Sequence, residues 1–186
     1  MARKQRGKQV SMQMVDDALL FRVAANDRQA FETLYNSTKT AIYGFLLSIV
    51  RNPHTAEDIM QEVYIKVYLS AASYTPKGKP MAWLLTIARN LALMKLREKS
   101  SKFTLLTPEE FTKSNLSDPE KALDTLVLEA AMNYLQDDER QIVILHDIAG
   151  LKHRETARIL QMPLSTVLSK YRRSLVKLQK QFKEDA

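Results

Sequence analysis

The sequence predicts an all-α protein made of two small helical domains joined by a flexible linker, the second with a helix-turn-helix. Only four glycines and six prolines interrupt the 186 residues. Apolar residues recur at the helical spacing of three to four positions over long runs, and these runs end in helix start or stop signals. Hydrophobic residues make up 45% of the chain, enough for a buried core in one or two small domains.

Four helices are expected in the first hundred residues. A proline disfavours helical backbone at the residue before it, so Asn52-Pro53 should end the second helix. Thr55 is the expected N-cap of the third, with acidic residues in the first turn. The turn-rich loop YTPKGKP precedes the fourth. The first predicted helix runs from Asp16 to Ala24, the second follows Asp27 and ends at Asn52-Pro53, the third runs from Thr55 to about Ser73, and the fourth opens after Pro80 and runs to about residue 100.

The second helical domain is expected at 119–186. Residues 1–15 are predicted to form a basic arm. Residues 101–118 are predicted to form the linker, because the periodicity of that segment is weak. Asp118-Pro119 indicates a helix start, with a capping residue followed by proline at the first helical position. Further helices are expected at about 119–134, 138–148 (stopped by Gly150) and 153–160, followed by a long final helix.

Charge is distributed unevenly along the chain. Residues 1–100 carry 15 basic against 8 acidic side chains, residues 101–150 carry 4 against 10, and residues 151–186 carry 9 against 3. The net charges are therefore +7, −6 and +6. Two basic blocks suggest a polyanionic partner, with solubility alone as the alternative.

Several function classes are disfavoured by composition. The absence of cysteine excludes disulfides and thiolate metal sites. His54, His146 and His153 are scattered along the chain and form no ligand pair, so we expect no metal site. We also expect no cofactor, no small-molecule substrate and no enzymatic activity. No apolar run approaches the roughly 20 residues of a membrane span, and no apolar segment follows the basic N-terminus. A cytoplasmic protein that is not embedded in a membrane is the expectation.

The last two helices have the spacing of a helix-turn-helix, with a break at Gln161-Met162-Pro163. At about 100° per residue, one stripe of the final helix is apolar and should be buried. Its members are Leu164, Val167, Tyr171, Leu175, Leu178 and Phe182. The opposite face and the preceding helix supply side chains suited to duplex bases and phosphates. These candidates are Arg154, Ser165, Thr166, Ser169, Lys170, Arg172 and Arg173.

Two alternatives stay open for this pair of helices. Two helices and a tight turn are common in helical proteins, so the basic face could simply be solvated. Leu168 falls at the edge of the apolar stripe. We expect it to add packing, and the alternative is contact with a thymine methyl group.

The third helix combines acidic and apolar residues on its outer face. Its core stripe contains Ile59, Met60, Val63, Tyr64 and Val67. The opposite face contains Glu57, Asp58, Gln61 and Glu62, with Ile65 and Leu69 among them. Apolar residues within an acidic stripe are typical of a protein-docking surface. The alternative is an acidic helix start that complements the helix dipole.

The fourth helix and the loop before it gather aromatic, cationic and amide side chains. Rings can stack on unstacked bases, cations can hold phosphates and amides can contact base edges, a combination suited to single-stranded nucleic acid. The alternative is a core tryptophan on a helix with a solvated basic side. The candidate residues are Tyr74, Lys77, Lys79, Trp83, Thr86, Arg89, Asn90 and Arg97.

In this order, the segments AEDIMQEVYIKVY and WLLTIARNLALMKLR and the helix-turn-helix resemble a bacterial RNA polymerase sigma factor of the extracytoplasmic-function (ECF) subfamily. The resemblance covers about residues 16–100 and 125–180. It implies a transcription initiation factor in which 16–100 is region 2 and 119–186 is region 4. Implied partners are core RNA polymerase, promoter DNA and an anti-sigma factor.

The resemblance also implies roles for the candidate residues. The third helix would dock on core polymerase through Glu57, Asp58, Gln61, Glu62 and Ile65. The loop and fourth helix would recognise and melt the −10 promoter element, and the final helix would read the −35 element. The chain departs from the family pattern at four positions: Asn26 and Gln161 stand where glycine is usual, Met94 near a common aspartate, and Leu168 where lysine or arginine is frequent. Met94 and Leu168 put the implied promoter preference in doubt.

Two other functions are compatible with the patterns. A stand-alone helix-turn-helix regulator would bind duplex DNA without polymerase, and such proteins usually dimerise to match two half-sites. No dimer seam is evident in the sequence. A protein-only adaptor would use its basic faces for solubility and show no salt-dependent binding to DNA.

Overall fold

A computed structural model describes residues 15–102 and 134–184 of the chain, and these are helical with no β-strand. The helices are α1 (Asp17–Ala24), α2 (Arg28–Val50), α3 (Pro53–Ser70), α4 (Pro80–Lys102), α5 (Asp137–Val143), α6 (His153–Leu160) and α7 (Leu164–Glu184). A 3₁₀ turn, Ala71–Ser73, extends α3, and a π-helical segment, Ile144–Ile148, continues α5. The predicted all-α class with two helical domains is confirmed.

The predicted boundaries hold closely, with two corrections. Residues 101 and 102 belong to α4 and not to the linker. The third helix begins at Pro53, because the Asn52 side chain is the cap that accepts from the Thr55 amide at 2.8 Å. Proline fits the first helical position, where no amide hydrogen bond is needed. The arm at 1–14, the rest of the linker and the helix predicted at about 119–134 lie outside the described residues.

The N-terminal module is built on α2, α3 and α4, with α1 packed against α2 and α3. Aspartates cap the first two helices as their positions suggest: Asp16 accepts from the Leu19 amide at 2.8 Å, and Asp27 from the Ala30 amide at 3.0 Å. The centre of the module is fully buried and apolar. Its largest side chains are Leu34, Ile42, Phe45, Leu46, Ile59, Leu84 and Leu85.

The C-terminal module packs α7 against α5 and α6 around Ile142, Leu145 and Val167. Two lysines of α7 also bond to acidic residues of α5. Lys177 donates to Glu139 at 2.6 Å, and Lys170 to Asp138 at 3.1 Å. Burial works against the charge of Glu139, but hydrogen bonds from Lys177 and the Gln136 amide outweigh it, and the pKa of Glu139 is lowered.

The buried stripe of α7 differs from the predicted one. Leu168 and Leu175 are each 37% exposed, so the predicted burial of Leu175 and the packing role of Leu168 are wrong. Ser174 is fully buried instead and donates to the Lys170 carbonyl at 2.8 Å. Ser174 lies on the same face of α7 as Lys170 and Lys177, the two lysines that bond to α5. Helix α5 therefore covers a face of α7 that the apolar pattern did not predict to be buried. The side chain of Phe182 lies outside those described.

The two modules contact each other. Helix α2 lies against α5 and the π-helical segment, and α4 lies against α6. A Cβ atom placed on Gly44 would be 4.0 Å from Ile144 Cγ2. Arg51 bonds to Asp137, and Lys79 Nζ lies 2.9 Å from Glu155 Oε1. Both apolar packing and ion pairs therefore join the modules.

The two positions where the sequence lacks the expected glycine have left-handed backbone. Asn26 has φ 63° and Gln161 has φ 57°. Asparagine tolerates this conformation better than most residues. Gln161 ends α6 at the turn before α7. A residue with a Cβ atom is strained in the left-handed conformation, so glutamine in place of glycine at position 161 lowers the stability of the folded protein.

We predict that Gln161→Gly stabilises the protein by about 0.5–1 kcal/mol, because glycine adopts the left-handed conformation without the Cβ clash. Chemical denaturation checks this through the free energy of unfolding. Gln179→Gly is the matched control, since Gln179 is exposed within α7, where glycine should destabilise by about 1 kcal/mol. Equal loss of stability in both variants would contradict the prediction.

Candidate nucleic-acid interface

A cleft of about 460 Å³ lies on the exposed side of α4. Burial of Leu84, Leu85 and Ala88 against the module core turns the polar residues of α4 outward. The cleft contains seven of the eight residues predicted for single-stranded nucleic acid. They are Tyr74, Lys77, Lys79, Trp83, Thr86, Arg89 and Asn90. Arg97 lies further along α4, outside the cleft.

Two aromatic rings line the cleft where the loop meets α4. Tyr74 and Trp83 have ring centroids 5.0 Å apart at an angle of 55°. The Tyr74 hydroxyl donates to Asp17 Oδ1 at 2.7 Å. Burial and this bond to a carboxylate both raise the pKa of Tyr74, so its hydroxyl stays a donor at neutral pH. The pair supplies a ring surface with a fixed orientation beside the cations of the loop.

The opposite wall of the cleft comes from the C-terminal module, which the sequence did not predict. Glu155, Arg158, Ile159 and Gln161 line it. Glu155 also accepts from the Lys152 amide at 2.9 Å. Burial opposes its charge, but the Lys152 amide and the Lys79 side chain lower the pKa of Glu155, which is ionised at neutral pH. Helix α6 therefore forms one wall of the cleft and pairs with one of its cations.

The outer face of α3 forms a second surface, which we call the α3 face. Its acidic and amide members, Glu57, Asp58, Gln61 and Glu62, are exposed as predicted. Ile65 is 61% exposed and Leu69 is 74% exposed. Beside them lies an apolar groove of about 500 Å³. Its aromatic lining was not predicted and comes from Phe31, Tyr35, Tyr64 and Tyr68.

The groove beside the α3 face is held rigid by one buried tyrosine. The Tyr64 hydroxyl lies 2.7 Å from Thr38 Oγ1 of α2, in the core. Burial raises the pKa of Tyr64 to about 12, against the effect of the Thr38 bond, so the hydroxyl remains protonated. The Tyr64 ring also packs against Tyr35 at 4.7 Å. Aromatic residues are enriched at protein–protein interfaces, so this groove suits a protein partner.

The final helix presents its predicted polar face to solvent. Ser165, Ser169, Arg172 and Arg173 are exposed, and Arg154 of α6 is exposed nearby in the chain. Thr166 is half-buried. Lys170 is turned toward α5, where it pairs with Asp138. Lys170 is therefore engaged with an acidic side chain of the protein, while Ser169 and Arg173 donate to backbone carbonyls of α7, those of Thr166 at 3.0 Å and Ser169 at 3.4 Å.

His146 of the π-helical segment and His153 of α6 come together in the C-terminal module. Their rings stack with centroids 3.9 Å apart, and Tyr171 packs against both. The expectation that the histidines are scattered is wrong for this pair, because the chain turns back at Gly150. Within the described residues, no three histidine or acidic side chains are grouped as a metal site.

No helix within residues 15–102 or 134–184 is long and apolar enough to cross a lipid bilayer.

Comparison with known proteins decides the family. Residues 34–102 match the model of sigma-70 region 2, and residues 125–178 match that of sigma-70 region 4. The chain is 32% identical over 165 residues to the ECF RNA polymerase sigma factor SigK of Mycobacterium sp. (strain KMS), covering 84% of each protein. It is 30% identical to SigK of Mycobacterium bovis (strain BCG / Pasteur 1173P2), covering 86% of this chain and 89% of that one.

The chain belongs to the ECF sigma factors. Its fold is also that of solved relatives. CnrH, solved in complex with the cytosolic domain of CnrY, aligns with a TM-score of 0.62 and 18% identity over 92% of this chain and 99% of that one. RpoE of Bartonella quintana, solved with the anti-sigma factor NepR, aligns with a TM-score of 0.60 and 23% identity over 85% and 99%.

We predict that the stability of this sigma factor falls as pH drops below about 6.5, in part through His153. Burial, and then the neighbouring His146, lower the pKa of His153, although Asp147 opposes them. The unfolded chain therefore takes up this proton at a higher pH than the folded chain does. The Tyr171 ring packs against both histidines, and its hydroxyl donates to Asp147.

His153→Phe keeps an aromatic ring but removes the titration, so its unfolding free energy should depend less on pH between 7.5 and 5.5. Urea denaturation at several pH values measures this. His54→Gln, at an exposed position on α3, is the control and should keep the wild-type dependence. Identical pH profiles for wild type and His153→Phe would contradict the prediction.

Proposed function

We propose that this sigma factor binds core RNA polymerase through the α3 face, reads and melts the −10 element in the α4 cleft, and reads the −35 element with α7. The observation that supports this most is the convergence of loop and α4 side chains on one cleft, in a chain whose family directs polymerase to promoters. On this proposal, region 2 spans about residues 16–100 and region 4 about 119–186.

Melting would be driven by capture of unstacked bases. Opening a base step costs a few kcal/mol, and stacking of a freed base on an aromatic ring returns about 1–3 kcal/mol. Tyr74 and Trp83 supply the rings, while Thr86 and Asn90 supply donors and acceptors for base edges. Lys77, Lys79 and Arg89 would hold the strand through its phosphates. Arg97, further along α4, would extend this contact.

Region 4 would read duplex DNA in the major groove. Arg172 and Arg173 can pair with guanine or phosphate, with Ser165, Thr166 and Ser169 as shorter contacts and Arg154 on the backbone. Leu168 is exposed four positions before Arg172. An exposed leucine on a groove helix suits contact with a thymine methyl group, so we propose that role for it. Lys170 would contribute only after leaving Asp138.

An anti-sigma factor is a further proposed partner. The solved relative RpoE is in complex with one, NepR. A stand-alone regulator of duplex DNA is less well supported, since it would have no use for an exposed groove of aromatic residues beside an acidic stripe.

Run-off transcription tests the proposed function as a whole. Purified core polymerase and this protein are incubated with sheared DNA from its own organism. Discrete transcripts that require both components would support the proposal, and their start sites would define both promoter elements. No transcripts together with no co-elution with core polymerase would favour the stand-alone regulator.

We predict that two double variants separate polymerase binding from promoter reading. Asp58→Ala with Gln61→Ala should weaken binding to core polymerase about tenfold or more, as expected when interface contacts worth over 1 kcal/mol are lost. Arg172→Ala with Arg173→Ala should keep that affinity and lose selectivity for the −35 element. Fluorescence titration and run-off transcription measure the two effects. The reverse pattern in folded variants would contradict both assignments.

The contact between the modules conflicts with simultaneous reading of both elements. Elements centred near −10 and −35 lie about 25 base pairs apart, or roughly 85 Å at 3.4 Å per base pair. In the structure α6 forms one wall of the α4 cleft, and Glu155 pairs with Lys79. We therefore propose that the modules separate when the sigma factor binds polymerase and promoter.

Crosslinking the modules should abolish initiation. Gly44→Cys with Ile144→Cys places two thiols at the contact, and the chain has no native cysteine to interfere. A short bis-methanethiosulfonate reagent should join them, stop transcription, and allow full recovery on reduction. Each single-cysteine variant, treated alike, should stay active. Transcription by the crosslinked protein would contradict the need for separation, and failure to crosslink would contradict the closed arrangement.

A further inference from the structure

The loop between the 3₁₀ turn and α4, residues 74–79, carries three of the side chains proposed for the −10 element. Its residues between Tyr74 and Lys79 are exposed, and Gly78 has left-handed backbone at φ 62°. No atom would lie within 4 Å of a Cβ on Gly78, so packing does not fix that part of the loop. Its shape must come from hydrogen bonds.

One carboxylate of α1 bonds to both ends of this loop. Asp17 Oδ1 accepts from the Tyr74 hydroxyl at 2.7 Å, and Asp17 Oδ2 accepts from the Gly78 amide at 2.9 Å. The cap of α1 is the neighbouring Asp16, so Asp17 is not needed for that purpose. Bonds to a charged acceptor are stronger than neutral ones, and two from one rigid group restrict the loop.

The bonds from Asp17 also affect the cleft, because Tyr74 is one of the residues that line it. Its hydroxyl is bonded to Asp17 while its ring packs against Trp83. The second bond, to Gly78, lies between Lys77 and Lys79, the two cations of the loop. A carboxylate repels phosphate, so a direct contact between Asp17 and DNA would be unfavourable. Its place beside a DNA-binding loop is explained by the shape it gives that loop.

We infer that Asp17 is a positioning residue for −10 recognition, which holds the loop so that Tyr74 and the two lysines meet the melted strand together. This inference rests on the proposed function of the cleft. It adds α1, outside the segment that matches region 2, to the parts of the chain that determine promoter specificity.

The test uses the full chain with core polymerase on a promoter identified by run-off transcription, and on the same promoter with a substituted −10 element. Permanganate reactivity measures strand opening. Asp17→Ala should lower opening about tenfold, the scale of one lost well-placed contact, and reduce the preference for the correct element. Affinity for core polymerase should stay within about twofold of wild type.

Graded variants distinguish positioning from a general loss of structure. Asp17→Asn keeps one acceptor oxygen and should fall between wild type and Asp17→Ala. Tyr74→Phe removes one of the two bonds and should also lower the preference. Asp16→Ala is the matched control, because it weakens the cap of α1 without touching the loop. It should keep the wild-type preference for the −10 element.

The possible outcomes separate this inference from the proposed function. If Asp17→Ala and Asp17→Asn open and discriminate as Asp16→Ala does, the positioning role of Asp17 is wrong while the sigma function stands. If wild type with core polymerase opens no promoter, the proposed function itself fails.

Discussion

Burial of one stripe of α4 against α2 and α3 is the constraint on which the N-terminal module depends. Leu84, Leu85 and Ala88 are buried in the core, and the 3.6-residue period then leaves Thr86 and Asn90 exposed on the same helix. The burial of a leucine side chain contributes about 1.5–3 kcal/mol. The cleft is therefore fixed by the same packing energy that folds the module.

Two ion pairs contribute to the contact between the modules, beside its apolar packing. The Lys79–Glu155 and Arg51–Asp137 pairs involve side chains that are largely solvent-accessible on at least one side. Exposed ion pairs contribute about 0–1 kcal/mol each and weaken with salt. Arg51 is also in the left-handed conformation, which is unfavourable for a side chain with a Cβ. These two ion pairs can form in the closed protein and break when the sigma factor binds polymerase and DNA.

Sequence reasoning succeeded where a signal was local. The starts of the first two helices and the apolar period of α3 depend on neighbours within a few residues, so their positions could be read from the chain. It failed for the start of α3, where Asn52 competed with Thr55 as cap, and for α7, where Ser174 is buried and Leu175 is exposed. That second error arose because α5 approaches α7 from a side that the apolar pattern did not mark.

By itself, the sequence determined the all-α class, the two modules, the family and half of the residues that line the cleft. Helical period and short motifs are properties of consecutive residues, which is why they sufficed. Only the tertiary structure showed that Glu155 faces Lys79, that His146 stacks on His153, and that Asp17 holds the loop. Each of these contacts joins separate helices or a helix and a distant loop. Their geometry follows from how whole helices pack, and no local pattern encodes it.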